Sequence, residues 1–561
     1  MNEVKCSCSS QKTFCNPLNL NYTLHNDAHG GEIPIQPFRE GADPSIELFE
    51  DTYYLVSSAT NGYWCSPDML NWEFIDAANS PIPFADRWAP TIVAIDGVLY
   101  LYFGQGNIYK TRTPRDVTSW TEIPDTCEHT GDPQFFYDRD TGRLWLTHGC
   151  SNDGCIRIHE LDIFTMKRKG DICTVKIEDH ENRGFECQGD NCELDQKGWT
   201  EGSQMIKYQG IYYLIYSGHQ LDNSYANGVL TAPAPCGPFT FQSYNPFSQK
   251  LTGFIGGAAH GQVFWDKYGN LWNVVLQSVW VNHRWERRIA LFPSGFTPGG
   301  QLNTDTLFGD YPILLPEKKL TDPIASRSAG FMLLSRNCPV QVSTELPAHK
   351  KENAVTEDVR TYWSARTGEK GEWIQMCVGE GSSVFAIQIN FAEHNLICLE
   401  PAEQYISYIL EGSFDGAEYH MIADKSQNKS DVPHDYIELE NPLHYRYYRL
   451  TNVHTPCGGT FAVRGIRLFG KKEEPPVGTI DYVAERDRRD PRKCRVRWKK
   501  DDWADGYVVR YGCTPETMFR SLEIYGLDCT INSLIKGVDY FITVEGFNQG
   551  GYERNGKVTK L

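Results

Sequence analysis

Five segments in the first 316 residues repeat one pattern, and that repeat restricts the fold more than any other feature of the chain. ADPSIELFEDTYYLVSS begins at Ala42, APTIVAIDGVLYLYFG at Ala89 and GDPQFFYDRDTGRLWLTHG at Gly131. EGSQMIKYQGIYYLIYSG follows from Glu201 and AHGQVFWDKYGNLWNVVLQ from Ala259. Each reads as a short apolar strand, a turn of Asp, Gly or Asn suited to positive φ, and a second strand rich in Tyr, Trp and Leu. Further strand candidates follow each hairpin, as in GYWCSPDMLNWEFI. Four short strands per unit, at a spacing of roughly 45–65 residues, mark the blades of a propeller. Five units predict a five-bladed β-propeller over 30–316, preceded by an N-terminal extension over 1–29.

At 561 residues the chain exceeds one core, and after Pro316 the repeat stops. Residues 325–470 remain β in pattern but have the texture of a jelly roll, as in WSARTGEKGEWIQMCVG, YILEGSFDGAEYHMI and YRYYRLTNV. KKEEPPVG reads as a linker, and CRVRWKK, GYVVRYG and YFITVEGFN within 476–561 predict a small β-sandwich. No long segment of 3.6-residue period competes, so the expected class is all-β throughout. The net charge of −18 argues against a nucleic-acid partner, which calls for a basic surface. No run approaches the ~18–20 apolar residues that span a bilayer, and the opening MNEVKCSCSSQKTF lacks the apolar stretch of a signal peptide. Eighteen cysteines, many in loops (Cys150, Cys155, Cys173, Cys187, Cys192), fit disulfides in an oxidising compartment. The expected location is therefore secreted, periplasmic or cell-surface, and the expected state is a monomer. Cys6-Ser-Cys8 and Cys187-x4-Cys192 lack the His or second pair that completes a tetrahedral zinc site.

In a propeller the innermost strand of each blade begins at the central channel. Asp43, Asp132, Glu201 and His260 stand near the repeat starts, whereas the second blade begins Trp88-Ala89-Pro90 with no acid. Pro44 and Pro133 are expected to hold Asp43 and Asp132 extended. A turn cap accounts for any one of these acids but poorly for three, because like charges in a low-dielectric funnel are costly unless used. Crowding separates their pKa values and supplies one protonated and one ionised carboxyl group. That is the pair needed to cleave a glycosidic bond. Trp64 and Trp88 are candidates to stack on a sugar, against the competing reading that each packs between blades. Of Arg287 and Arg288, one is expected to reach the funnel and bond a sugar hydroxyl; a pairing with Glu286 or Asp310 competes.

The ordered run GADPSI, APTIV, GDPQFF, TEGSQMI and AAHGQVF, with TYYLVSS and IYYLIYSG between, resembles glycoside hydrolase family 43 over about residues 30–316. The resemblance implies an inverting enzyme with Asp43 as general base, Glu201 as general acid and Asp132 orienting that acid and raising its pKa. Ser203 departs from the family pattern, in which proline is common at this place. His260 corresponds to a histidine at the funnel floor, which implies Ca²⁺ or Na⁺ held there mainly through water, although the reaction requires no cofactor. Together with the positional candidates Trp64, Trp88 and Arg288, His260 completes the expected sugar contacts. GFIGGAAHGQVFWDKYGNLWNV, RWERRIALFPSGF and LFGDYP resemble a subgroup associated with α-L-arabinofuranosidase and galactofuranosidase activity.

YWSARTGEKGEWIQM, EGSFDGAEYHMI and HDYIELENPLHYRYYRLTN resemble a discoidin (coagulation factor 5/8 C-type) domain, which either binds carbohydrate or buttresses its neighbour. Cys338 and Cys457 stand near its two ends, where such domains often hold a disulfide. The last segment resembles fibronectin type III, normally a spacer. The expected activity is exo-acting removal of terminal α-L-arabinofuranose from oligo- or polysaccharides, with the 166–199 insertion walling the pocket. A β-D-xylosidase or β-D-galactofuranosidase is the alternative on the same scaffold. A non-catalytic carbohydrate-binding or adhesion protein predicts a missing acid or base, and this chain keeps both.

Overall fold

The computed structural model describes residues 12–25, 33–84, 87–126, 128–219, 222–397 and 404–561. Five antiparallel sheets are arranged as the blades of a propeller. The first runs Ser45–Phe49, Thr52–Val56, Gly62–Ser66 and Glu73–Asp76, each strand pairing with the next. The inner strands of the other four are Thr91–Ile95, Gln134–Asp138, Trp199–Tyr208 and Gly256–Trp265. Each is followed outward by its successors in chain order.

Apolar side chains fill the slots between blades. Tyr53, Leu55 and Trp64 of the first blade pack with Trp272 and Ile289 of the fifth, and Tyr54 and Tyr63 pack with Leu99 and Leu101 of the second. This is why the second strand of each blade reads as a nearly continuous apolar run, TYYLV in the first and LWNVVLQS in the fifth: both of its faces are covered by neighbouring blades.

A ring of polar side chains at the inner strand starts joins the blades. Ser45 Oγ accepts from Ile92 N (3.2 Å), and Thr91 Oγ1 accepts from Phe135 N (2.9 Å). Thr147 Oγ1 donates to Ser203 O (3.1 Å), and Gln204 Oε1 accepts from Val263 N (2.7 Å). Gln262 Oε1 closes the ring by accepting from Ile46 N (2.7 Å) and Ser45 Oγ (2.9 Å). Buried backbone groups must find partners, and here each inner-strand amide or carbonyl finds one on the preceding blade. The Thr13–Phe14 strand pairs with Ile313–Leu314, tying the start of the described chain to the end of the propeller segment.

The second domain is a jelly roll of two sheets. One is built on Ala462–Lys472, Ser382–Phe391 and His434–Leu443, the other on Trp373–Cys377, Tyr447–His454 and Ser407–Ser413. Trp363, Tyr408 and Tyr448 are central to its core. The last segment is a sandwich with Tyr482–Arg486, Cys494–Trp498 and Asp528–Ile531 on one side and Arg520–Ile524, Gly506–Gly512 and Phe541–Asn548 on the other. All three units meet at a buried charge cluster. Lys250 lies 3.4 Å from Asp310 and 3.6 Å from Glu523, while Arg467 pairs with Glu357 and lies 3.8 Å from Asp310.

Cys173 and Cys236 form a disulfide, whereas Cys150, Cys155, Cys187 and Cys192 carry free thiols. Cys457 is disulfide-bonded and Cys338 is a free thiol, so those two are not joined to each other. The Cys6–Cys8 pair lies outside the described residues.

Candidate active site

Strand pairing makes Ser45, Thr91, Gln134, Gln204 and Gln262 equivalent, since they face Val56, Tyr102, Thr147, Ile215 and Val274 respectively. Two residues before each stand Asp43, Ala89, Asp132, Gly202 and His260. All five have positive φ, at 51°, 42°, 46°, 54° and 45°. Pro44 and Pro133 therefore do not hold their aspartates extended, contrary to expectation. Every blade turns through a left-handed residue as it enters its inner strand, and this shared turn overrides the preference of a residue preceding proline. Such a conformation costs on the order of 1–3 kcal/mol at a residue with a side chain and persists where the surroundings over-determine it.

Glu201 lies one residue earlier than the position shared by Asp43, Asp132 and His260, so the three acids do not occupy one repeat position. Gly202 makes the turn in its place. A Cβ there would lie 2.6 Å from His260 Cδ2 and 2.7 Å from Ser217 Oγ. Gly202→Ala is thus expected to lower stability by about 2–3 kcal/mol, through overpacking and a left-handed alanine. It also displaces His260, so kcat/KM should fall more steeply than the folded fraction measured by thermal melting.

The carboxylates gather around His260. Its Nδ1 lies 3.2 Å from Asp43 Oδ1 and 3.8 Å from Glu201 Oε1, and its Nε2 lies 3.8 Å from Asp132 Oδ2. Ser217 Oγ accepts from the His260 amide at 3.0 Å. Asp43 also accepts from the Ser58 hydroxyl and from Arg287 Nη1 at 3.3 Å, and Arg287 pairs in turn with Glu40. Glu201 accepts from the Tyr225 hydroxyl, and Cys150 Sγ donates to its Oε2 at 3.4 Å. The Cys150 sulfur also stands beside Asp132, and one side-chain oxygen each of Asp132 and Glu201 lies with that sulfur within 4.8 Å of one another.

Burial alone would raise all three carboxyl groups, and the charges around each decide the outcome. For Asp43 burial is outweighed by Arg287, His260 and the Ser58 hydrogen bond, and its pKa falls below the usual carboxylate value. Asp132 has only His260 and the Cys150 thiol to offset burial and the charges of Glu201 and Asp43, and it rises to about 7. Glu201, though buried, is held below its ordinary value by the nearby His260 cation and by the Tyr225 hydrogen bond. Burial lowers the His260 pKa, but the three surrounding carboxylates prevail and lift it to about 9. The pocket thus holds a cationic His260 and an ionised Asp43, and within the coupled Asp132–Glu201 pair burial and the neighbouring charges favour the protonated form of Asp132. The sequence reading assigns the acid's proton to Glu201, with Asp132 raising its pKa.

The carboxylates open into a cavity of about 430 Å³. Trp88 and Trp285 meet edge to face at 5.6 Å on one wall, and Trp199 and Trp280 stand half exposed at the rim. Arg284 and Arg287 lie over the Trp285 ring, at 5.0 and 4.7 Å. Trp88 is where the sequence reading put it. Trp64 is not: it is 1% exposed, packed against Phe74 and Tyr22 in the slot between the first and fifth blades. Arg288 is likewise excluded from the pocket. It is buried, donates to His434 Nε2 at 2.8 Å and lies 3.8 Å from Glu286 and 3.7 Å from Glu393, so the competing pairing prevails and Arg287 is the arginine that reaches the site. Cys150, Tyr225, Trp199, Trp280 and Trp285 went unrecognised. For Trp199 a signal existed: it precedes Glu201 by two residues on one strand, and period-two alternation places both on one face.

His260 is a poor direct ligand for a cation, since both ring nitrogens face carboxylates and the raised pKa keeps the ring charged. The Ca²⁺ or Na⁺ that the resemblance implies is one held mainly through water.

Residues 33–301 match glycosyl hydrolases family 43, and residues 339–465 match the F5/8 type C domain. The propeller is thus a family 43 glycosyl hydrolase domain, and the jelly roll that follows is an F5/8 type C, or discoidin, domain. Beta-D-galactofuranosidase xynD of Aspergillus niger is 26% identical over 237 residues, covering 36% of this chain and 63% of that protein. Xylan 1,3-beta-xylosidase of a Vibrio species is 24% identical over 237 residues, covering 36% of this chain and 41% of its own length. The chain therefore spans less than two thirds of the length of either of these curated relatives. An endo-1,4-beta-xylanase structure from Bacteroides thetaiotaomicron aligns at 23% identity and a TM-score of 0.39, covering 48% of this chain and 94% of that one.

Proposed function

We propose that the chain is an exo-acting, inverting glycosidase that removes terminal α-L-arabinofuranose from an oligo- or polysaccharide. The observation that carries this is the placement of Asp43 and Glu201 against the same His260 nitrogen, at the floor of a walled, tryptophan-lined cavity. Asp43, ionised and fixed by Ser58 and Arg287, draws a proton from a water that attacks the anomeric carbon. Glu201 protonates the departing oxygen with the proton that the coupled Asp132–Glu201 pair shares. Cys150 stays a thiol, since burial and the two acids push its pKa far up, and it holds the pair in register. Trp88 and Trp285 supply an apolar wall for a sugar ring. The relatives' printed names favour β-D-galactofuranose or β-D-xylose as the second reading.

No bound cation is required, and the protein acts as a secreted or surface enzyme, a location that the Cys173–Cys236 disulfide supports. The last sandwich we read as fibronectin type III, on its three-stranded and larger facing sheets.

A panel of p-nitrophenyl α-L-arabinofuranoside, β-D-xyloside and β-D-galactofuranoside is expected to give turnover on the first. NMR of the first sugar released should show inverted configuration. Absence of turnover on every member, with arabino-oligosaccharides also left intact, would remove the glycosidase reading, and a retained anomer would remove Asp43 as base.

A further inference from the structure

One wall of the pocket is carried by residues 279–287, a turn between the second and third strands of the fifth blade. It bears Trp280, Arg284, Trp285 and Arg287, all lining the cavity. The turn is short of backbone bonds of its own: Val279 N and Trp280 N donate to Glu286 O at 2.9 and 3.2 Å, and Glu286 N donates to His283 O at 3.1 Å. Three more of its amides are met by side chains, Trp285 N by His283 Nδ1 at 3.2 Å and the other two by one carboxylate. Glu286 Oε2 accepts from Val281 N at 2.9 Å and Asn282 N at 2.8 Å. Trp280 sits at a φ of 50°, a conformation that a bulky aromatic keeps only where its surroundings fix it.

The carboxylate that organises this turn is held from the other domain. Arg464, on the Ala462–Lys472 strand of the F5/8 type C domain, donates to Glu286 Oε1 at 2.7 Å. Arg464 is itself fixed by Glu393 at 3.1 Å and by Val359 O at 3.1 Å, and Arg464, Glu286 and Glu393 are all fully or almost fully buried. A second tie runs beside it, from Asn282 Nδ2 to Glu393 O at 3.0 Å and to Pro37 O at 3.0 Å. A buried arginine between two carboxylates is a poor source of net stability compared with apolar packing. Its position here, behind the wall that bears the tryptophans, gives it a different use.

We infer that the F5/8 type C domain completes the sugar pocket, with Arg464 as a positioning residue that sets Trp280 and Trp285 through Glu286. The identity of the ligand as a sugar rests on the proposed function; the dependence of the wall on Arg464 does not. The two are separated by measuring turnover and hydrogen exchange on the same full-length variants. Arg464→Met keeps the bulk and removes the charge. It is expected to raise KM about tenfold with kcat within about threefold of the parent, the pattern of lost binding rather than lost chemistry. Exchange at the Val281 and Asn282 amides should quicken by about tenfold or more as their acceptor is released, with the inner strands of the first and third blades unchanged. Arg464→Lys should recover most of both effects. Asn282→Ala, which cuts only the parallel tie, should move KM and exchange in the same direction and serves if Arg464→Met does not fold. An Arg464→Met protein that melts lower but keeps its KM and its exchange at 279–287 would overturn the inference. Altered exchange in a protein that cleaves no glycoside would keep it and remove the sugar.

Discussion

Glu201→Gln is expected to lower kcat by about 10³-fold on an arabino-oligosaccharide, in the middle of the 10²–10⁴ range typical of a lost general acid. The substitution is close to isosteric: the amide oxygen can still accept from the Tyr225 hydroxyl while the amide NH2 turns toward the Cys150 sulfur, a weak acceptor, so the melting temperature should change little. What disappears is a proton donor at the departing oxygen. A p-nitrophenolate leaves with little help, so on the aryl glycoside the loss should be much smaller, about tenfold. The contrast between the two substrates is the decisive reading, because damage to the pocket would depress both alike. Equal losses would place the acid elsewhere, and Asp132, which holds the raised pKa in the free pocket, would be the candidate. Removing the Glu201 charge also takes away one of the interactions that raise Asp132, so the alkaline limb of any remaining activity should move to lower pH.

How much of this was legible in the sequence depended on whether the signal was local. The blade repeat was visible because turn residues and strand alternation recur in each unit. The polar ring that joins the blades uses the same inner-strand register in four of the five, the third supplying Thr147 from its second strand instead. The prolines after Asp43 and Asp132 misled, since a local preference gave way to the geometry of a closed ring. Arg287 and Arg288 show the limit of alternation. Neighbours on a strand face opposite ways, so one had to reach the funnel, but the face turned inward is set by the register of the Arg287–Phe296 strand against Leu271–Ser278. Trp64 and Trp285 illustrate the same problem for aromatics, which fill inter-blade slots and pocket walls with equal ease. Glu286 and Arg464 are 178 residues apart and belong to different domains, so nothing near either announced the other.

His260 offers the sharper electrostatic test, because the pocket concentrates three acids around one cation. His260→Asn retains a residue that tolerates a left-handed φ and removes the charge. Each of Asp43, Asp132 and Glu201 is pulled down by His260, so each should become harder to ionise without it. The acidic limb of kcat/KM, set by ionisation of Asp43, must then move to higher pH. The alkaline limb, set by the proton on the Asp132–Glu201 pair and placed near 7 in the parent, must move up as well. The profile as a whole shifts to the alkaline side, and its maximum should fall by about 10²-fold as a preorganised charge is lost. Stability carries the same signature. A histidine raised to about 9 in the folded state stabilises it fully below its ordinary value of 6.5, and that contribution is lost as pH rises through about 9. Parent and variant should therefore differ most in melting temperature in acid and converge above pH 9. A profile that keeps both limbs in place would show that His260 is not the cation around which the acids are arranged.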